Sequence, residues 1–281
     1  MATGQADPRL DGAAVAVYAH DLRTPLRPAW ETAVRRCPQV RLADSVADAD
    51  VVVVDAYVTG PPPPPPPAPR PDQLTVVLSL PHADAVTDGA LGLDVDEALE
   101  GAAVAMTAHE AELTTSAGNW VTLRCAAFGQ EAAWNAAFTR GGAMVASWRP
   151  DGAPWLDLAD VVELLPVLRR DPGRWQRAYE LSGAAVVPLD DVVRLLEPHH
   201  DGPVMYLALP PAEHVAACER AGFDRDFAVR RVAYSSWATS LTCRVVDPTL
   251  ATALGRSPRQ LDDYFLDAVE DVGSSGLARQ S

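Results

Sequence analysis

Four consecutive valines, Val51 to Val54, constrain this chain more than any other segment. β-Branched residues are stiff and pack well on a pleated surface, and an unbroken apolar run fits a strand buried on both faces. Strands of that kind belong to parallel sheets sandwiched between helices. The flanks agree. Residues 13–18 read as a first buried strand. Residues 29–36 read as a helix behind Pro28, with Trp30, Ala33, Val34 and Cys37 at helical spacing. Residues 39–42 read as a second strand. Strand, helix, strand and then polyvaline predict an α/β fold on a Rossmann-like parallel sheet. Residues 43–50 are too few for a crossover helix between adjacent parallel strands, which takes roughly a dozen residues. One strand and one helix of a doubly wound half are therefore expected to be missing, truncating the sheet at that edge.

Further strands are expected at 74–80, 119–125, 177–181 and 204–209, and helices at 95–115, 158–169, 189–196 and 211–221. The tail from 247 reads as a helix start, a Gly-Arg-Ser-Pro turn and a last helix. Residues 1–150 form the Rossmann-like part and 151–281 a mixed substrate-side lobe interleaved with the sheet. Pro61–Pro67, seven prolines in a row, stand where a helix would follow a strand. They read as a stiff polyproline loop, exposed, acting as a lid, or docking a proline-reading partner.

The chain has 281 residues, 48% hydrophobic, enough for a full core, and all 23 of its basic side chains are arginine. Without lysine there is no Schiff-base nucleophile, lysine base or phosphate-loop lysine, and arginine stays protonated and cannot stand in. A GC-rich coding sequence explains much of that arginine bias. The formal net charge of −15 repels phosphate backbones and anionic membranes, so neither nucleic acid nor membrane is an expected partner. No signal peptide is evident at the N-terminus, and the expected location is cytoplasmic. Cys37, Cys125, Cys218 and Cys243 match no zinc spacing, so reduced thiols and no metal are expected.

Several segments together resemble the NmrA-like branch of the atypical short-chain dehydrogenase/reductases. Ser116-Ala117-Gly118-Asn119-Trp120-Val121-Thr122-Leu123-Arg124-Cys125 is similar to that family's Ser-Gly and Trp-Thr-x-Leu-Arg-Pro, with Cys125 for the proline. Ala127-Phe128-Gly129-Gln130 with Trp134-Asn135 resembles its phenylalanine-rich loop, and residues 155–162 its Ile-Asp-Val-x-Asp-Val-Ala segment. Tyr179-Glu180-Leu181-Ser182-Gly183 and Leu254-Gly255-Arg256-Ser257-Pro258-Arg259 complete the order, over residues 74–266.

The resemblance implies a glycine-rich turn after the first strand. This chain has Ala19-His20-Asp21-Leu22-Arg23-Thr24-Pro25-Leu26-Arg27-Pro28, without a glycine. The family's Tyr-x-x-x-Lys pair falls near Ala102 and Met106, which relay no proton. Ser79 matches its serine. No cofactor is expected, or else NADPH held through Arg23 and Arg27.

Ligands of open α/β sheets sit outside the carboxyl ends of the strands. That rule nominates His20 with Asp21, Asp55 and Tyr57, Ser79 and His82, and residues 125–130. His82 is the first choice for proton transfer, because an imidazole both gives and takes a proton. Its plain alternative is an ordinary loop histidine, as Asp55 is a turn cap and Tyr57 a core-edge aromatic. His109 and Glu110 share the helix of Ala102 and Met106 and are candidates to inherit the lost role, or else lie on a solvated face. His199 and His200 read as a loop. Phe128, Gln130, Trp134, Phe138, Trp148, Trp155, Tyr234 and Trp237 are the expected walls of a pocket for a planar, apolar ligand, or ordinary core.

The expected function is a cofactor-independent enzyme of specialised metabolism, acting by cyclisation, dehydration, isomerisation or ring-opening on a bulky aromatic or polyketide-like substrate. The alternatives are an NADPH-dependent ketone, enone or quinone reductase, and a non-catalytic binding or regulatory protein. A homodimer is an open expectation.

Overall fold

The computed structural model describes residues 13–20, 22, 26–57, 70–86, 97–136, 142–199 and 202–274. Asp21, Arg23, the run Pro61–Pro67, Phe138 and His200 lie outside the described residues. The elements in order are β1 (Val15–His20), α1 (Arg27–Arg36), β2 (Val40–Leu42), β3 (Val51–Asp55), β4 (Leu74–Ser79), α2 (Glu97–Ser116), β5 (Trp120–Cys125), α3 (Gly129–Ala136), β6 (Ala143–Ala146), α4 (Leu158–Arg170), β7 (Arg177–Leu181), α5 (Leu189–Leu196), β8 (Met205–Ala208), α6 (Pro211–Arg220), α7 (Arg225–Ala238), α8 (Thr249–Leu254) and α9 (Phe265–Ser274).

The main sheet has six parallel strands in the order β2-β1-β3-β4-β5-β7. β3 and β4, both buried along their whole length, lie at its centre. Alternate side chains go to opposite layers, as a two-residue period requires. Val51, Val53, Val76 and Leu78 pack with Trp30 of α1, with Val161 and Leu165 of α4, and with Leu250 of α8. Val52, Val54 and Val77 face Leu113 of α2.

Among the described residues no strand pairs outside β2, so the sheet is truncated at that edge. β1 lies between β2 and β3 in the register, and residues 43–50 return past it with only the short turn Val46–Asp48. Side chains satisfy the carbonyls of this bare connection: Arg70 donates to Ala47 O at 2.9 Å and Ala49 O at 2.8 Å, and Gln73 Nε2 to Val46 O at 2.7 Å. Two polar side chains thus do what the backbone of a helix would have done for itself.

A second parallel pair, β6 with β8, belongs to the lobe built from α3, α5, α6, α7 and α9. A cut at residue 150 would part β6 from β8 and leave β7 in the sheet of the first segment. Gly183 sits where a Cβ would run into the Trp155 carbonyl, so the close approach of β7 to the segment before α4 needs a glycine. Among the described residues no helix is long and apolar enough to cross a membrane.

Candidate functional site

α2 carries two stripes. Leu99, Ala103, Met106, Glu110 and Leu113 are buried against the sheet and lobe. One residue round, Ala98, Ala102, Ala105, His109 and Glu112 follow the same alternation of four and three, so they share a neighbouring face. That second face lines a cavity of about 520 Å³, closed by Ala56 after β3 and by Arg225, Asp226, Val229 and Arg230 of α7. The volume is that of a small-molecule pocket, about 300–1,000 Å³. Three small side chains on one helix face create the space; the charged groups come from its end and from α7.

His109 is the group on this wall suited to proton transfer. Its Nε2 is buried without a hydrogen-bond partner, and its Nδ1 lies 3.6 Å from Glu112 Oε2. An imidazole can both give and take a proton, and Glu112 stands within ion-pair reach of this one. Ala102 and Met106, the positions of the family's Tyr/Lys pair, also line the cavity.

The strand-end candidates lie elsewhere. Ser79 donates to Glu110 Oε2, and Glu110 Oε1 accepts from Arg124 Nη2 at 3.1 Å. Arg124 reaches on to Asp84 at 3.0 Å and Glu180 at 3.6 Å. His82 adopts a left-handed backbone with φ of 50°. Its N–H donates to Glu180 Oε2 at 2.9 Å, while its ring Nδ1 is 3.9 Å from the same oxygen. Burial pushes the Glu180 carboxyl up, against the pull of the His82 N–H and Arg124. Ser79 and His82 therefore come together, in an ion network across the ends of β4, β5 and β7. Asp55 Oδ1 accepts from Tyr57 N at 3.0 Å, a turn cap at the end of β3. Tyr57 stacks edge-on against Tyr234 with centroids 5.0 Å apart. His20 ends β1, in register with Val54 and so beside Asp55. None of the five forms the wall of the 520 Å³ cavity.

The aromatic candidates are mostly core. Phe128, Trp148, Trp155 and Trp237 are fully buried. Trp148 and Trp155 meet edge-on at 5.3 Å, Trp155 Nε1 donates to Val187 O at 2.9 Å, and Trp237 Nε1 donates to Pro81 O at 2.7 Å. Gln130 donates to Asp157 Oδ1 at 2.7 Å and supports the cap of α4. Trp155 and Trp237 thus spend their N–H groups on structural carbonyls, while Trp148 packs on Trp155 with its Nε1 buried and unpartnered. Of the described aromatic candidates, Trp134 borders a cavity, a smaller one beside α6 and α7.

The place a dinucleotide takes in this kind of sheet, over the ends of β1 and β2, holds a cleft of about 240 Å³ walled by Tyr18, Leu22, Arg27, Trp30, Leu42 and Asp44. α1 begins at Leu26, Arg27 and Pro28 without a side-chain cap. The proline has no N–H to offer a pyrophosphate, and the Trp30 ring stands beside it. The cleft is smaller than the usual range for drug-sized ligands. Among the described residues this cleft carries Arg27 and Trp30 on its wall, and Ala102 and Met106 stand where the resemblance puts a proton relay.

No family model matches the chain, and no curated protein sequence does. Solved structures do. The NADPH complex of the quinone oxidoreductase QOR2 from Escherichia coli is 16% identical, with a TM-score of 0.60 over 92% of this chain and 99% of that one. The NADP(H) complex of Citrobacter sp. triphenylmethane reductase is 13% identical, with a TM-score of 0.58 over 91% and 99%. The negative transcriptional regulator NmrA with NADP is 11% identical, with a TM-score of 0.52 over 95% and 98%. At these identities the likeness is one of fold: the chain has the Rossmann-like α/β fold that NmrA and these two reductases share.

Proposed function

We propose that the protein is a cofactor-independent acid–base enzyme, working in the cavity between α2 and α7 on a bulky, ring-containing ketone or phenol of the polyketide type. The observation that carries this reading is the unpartnered Nε2 of His109 on the wall of a 520 Å³ cavity. In that reading His109 takes a proton from carbon next to a carbonyl and returns it, or returns it elsewhere on the ring, with Glu112 orienting the imidazole. The alanine face admits a flat apolar body, and Arg225 and Arg230 stand at the rim to meet developing enolate charge. Isomerisation, dehydration and aldol-type cyclisation all begin with this step. It needs neither the missing lysine nor a nicotinamide.

The test uses 1-tetralone, a bicyclic aryl ketone, in D₂O with the purified protein. Accelerated deuterium exchange at the carbon beside the carbonyl is expected, lowered about 10²-fold or more in His109→Ala. Exchange that is absent, or unchanged in His109→Ala, overturns the reading.

An NADPH-dependent reductase is the second reading, favoured by the nucleotide-bound structures with this fold and by the donors Arg27 and Trp30 Nε1 on the 240 Å³ cleft. Calorimetric titration with NADPH separates the two. No binding up to millimolar nucleotide is expected; micromolar binding with NADPH consumed on adding the ketone selects the reductase.

A further inference from the structure

A second cavity, of about 150 Å³, lies on the other side of α7 and shares no lining residue with the first. It is walled by Trp134 and Asn135 of α3, Val145 of β6, His214, Ala217 and Cys218 of α6, Phe223 and Arg231. Arg231 is only 4% exposed. Its guanidinium lies 4.0 Å from the centroid of the Trp134 ring, and Nη2 donates to Asn135 Oδ1 at 2.8 Å. Among the described residues no carboxylate comes within 4.0 Å of it. Arginine cannot shed its proton to escape burial, so this is a fixed positive charge removed from water with no counter-charge among the described residues.

The neighbouring polar groups are donors too. Asn135, 8% exposed, turns its oxygen to Arg231, and its Nδ2 is buried without a partner. His214, 5% exposed, accepts the Ser147 N–H on Nδ1 at 3.0 Å, so the neutral ring carries its proton on Nε2. Burial, then the Arg231 charge, push its pKa down to about 4, so the ring is neutral at pH 7. Trp134, Val145, Ala217 and Phe223 supply apolar wall. A cationic fork, a free amide N–H and an imidazole N–H around a partly apolar hole are complementary to an anion that is flat, bidentate and attached to an apolar body.

We propose that this cavity is a carboxylate-binding site for a small aromatic or short aliphatic acid, which supplies the counter-charge of Arg231. The carboxylate pairs with the guanidinium and the Asn135 N–H, and the body of the acid lies against Trp134 and Phe223. The size suits one ring, since an apolar cavity of about 150 Å³ admits benzene. The site stands apart from the His109 cavity and does not depend on its chemistry.

Benzoate and benzamide, equal in shape and different in charge, are the probes for calorimetric titration of the full chain. Benzoate is expected to bind in the millimolar range or tighter, with benzamide at least about tenfold weaker, a difference of ~1.4 kcal/mol. Arg231→Met is expected to abolish benzoate binding. Should that variant not fold, Asn135→Asp carries the test. It keeps the side-chain shape and lays a carboxylate of the chain's own on the guanidinium, so benzoate affinity should fall at least about tenfold while the Tm rises. No benzoate binding by the wild type up to tens of millimolar, equal binding of benzamide, or full benzoate affinity in Asn135→Asp would each overturn the proposal.

Discussion

Two arginine clusters in this molecule treat charge in opposite ways. Arg256 and Arg259, in the segment after α8, grip Asp160 and Glu163 of α4. Arg256 Nη2 lies 2.6 Å from both Asp160 Oδ1 and Glu163 Oε2, Arg259 Nη1 lies 2.5 Å from Asp160 Oδ1, and Arg259 N donates to Asp160 Oδ2 at 2.8 Å. Asp160 and Glu163 each serve both cations, and Arg259 Nε also lies 3.7 Å from Asp157 Oδ2. These arginine side chains are about a third exposed, at 37% and 32%. Arg231 is far more buried and has no carboxylate partner among the described residues. Desolvation makes the buried charge the one in greater need of a partner. Stability therefore explains the first cluster, which ties the C-terminal segment to α4, and fails to explain the second. That contrast is the ground of the carboxylate site proposed above.

Asp160→Asn strikes at the paired cluster and should have the largest effect. Asp160 is fully buried, and losing its charge leaves Arg256 leaning on Glu163 and Arg259 on Glu163 and the more distant Asp157. Breaking a buried pair costs about 3–5 kcal/mol, and the partly exposed arginines put this case near the lower figure. Urea unfolding of wild type and variant measures it. A loss well under ~1 kcal/mol would mean that water satisfies these arginines and that the contrast with Arg231 is empty. The same cluster has an acid signature. Burial raises the Glu163 carboxyl, but the hydrogen bonds from Arg256 and Arg259 outweigh it and hold its pKa below the ordinary value. Its stabilisation is complete above the unfolded pKa and is lost as pH falls through the lower, folded one.

His214 gives the next largest effect. Its folded pKa of about 4 lies below the ordinary 6.5, so between those values the unfolded chain holds a proton that the native chain refuses. Stability contributed by the neutral ring is complete above pH 6.5 and falls as pH drops toward 4. By linkage about 2 kcal/mol is gone at pH 5. His214→Asn keeps an acceptor for the Ser147 N–H and removes the titration. The difference between the two urea-derived stability curves should therefore slope between pH 6.5 and 4 and flatten outside that window. A flat difference would mean that His214 does not feel burial and the Arg231 charge.

How far the sequence shows these features depends on whether they are local. The valines of β3 announce a strand buried on both faces, and β7 and α5 have the bounds expected from the sequence, α5 because one of its faces carries the apolar pattern. The truncated edge follows from chain length alone. Three elements escape this reading. α3 is buried at every residue and has no polar face to set a period. In α7, Arg230, Arg231, Ser235 and Ser236 interrupt the apolar stripe, and β6 is four residues long. The sites were hidden for the same reason. A rule about strand ends finds Ser79 and His82, and the structure does bring them together, but in a closed ion network. His109 lies mid-helix, and the alanine stripe leading to it becomes a wall only when α7 stands opposite. The tryptophans were conspicuous by composition, yet most of them fill core. The one local signal for the second site is an arginine on the buried face of α7, three residues after Ala228 and three before Tyr234.

Arg231→Met is expected to have the smallest effect on stability, and its smallness is the point. Methionine is unbranched and fills irregular apolar space, so it can follow the path of the arginine stem past Trp134. The variant forfeits the hydrogen bond to Asn135 and the contact of the guanidinium with the Trp134 ring. Such interactions are worth about 0.5–2 kcal/mol each. It also removes a buried cation that has no carboxylate partner among the described residues, and desolvation of such a charge opposes folding by several kcal/mol. The opposing terms nearly cancel, and urea unfolding without added acid should place Arg231→Met within about 1.5 kcal/mol of wild type, on either side. A loss as large as that of Asp160→Asn would show that Arg231 is held by the fold as firmly as Arg256 and Arg259 are, and would erase the difference between the two clusters. With benzoate present the wild type should gain stability as ligand rises and the variant should not, because only a protein that binds the ligand is stabilised by it.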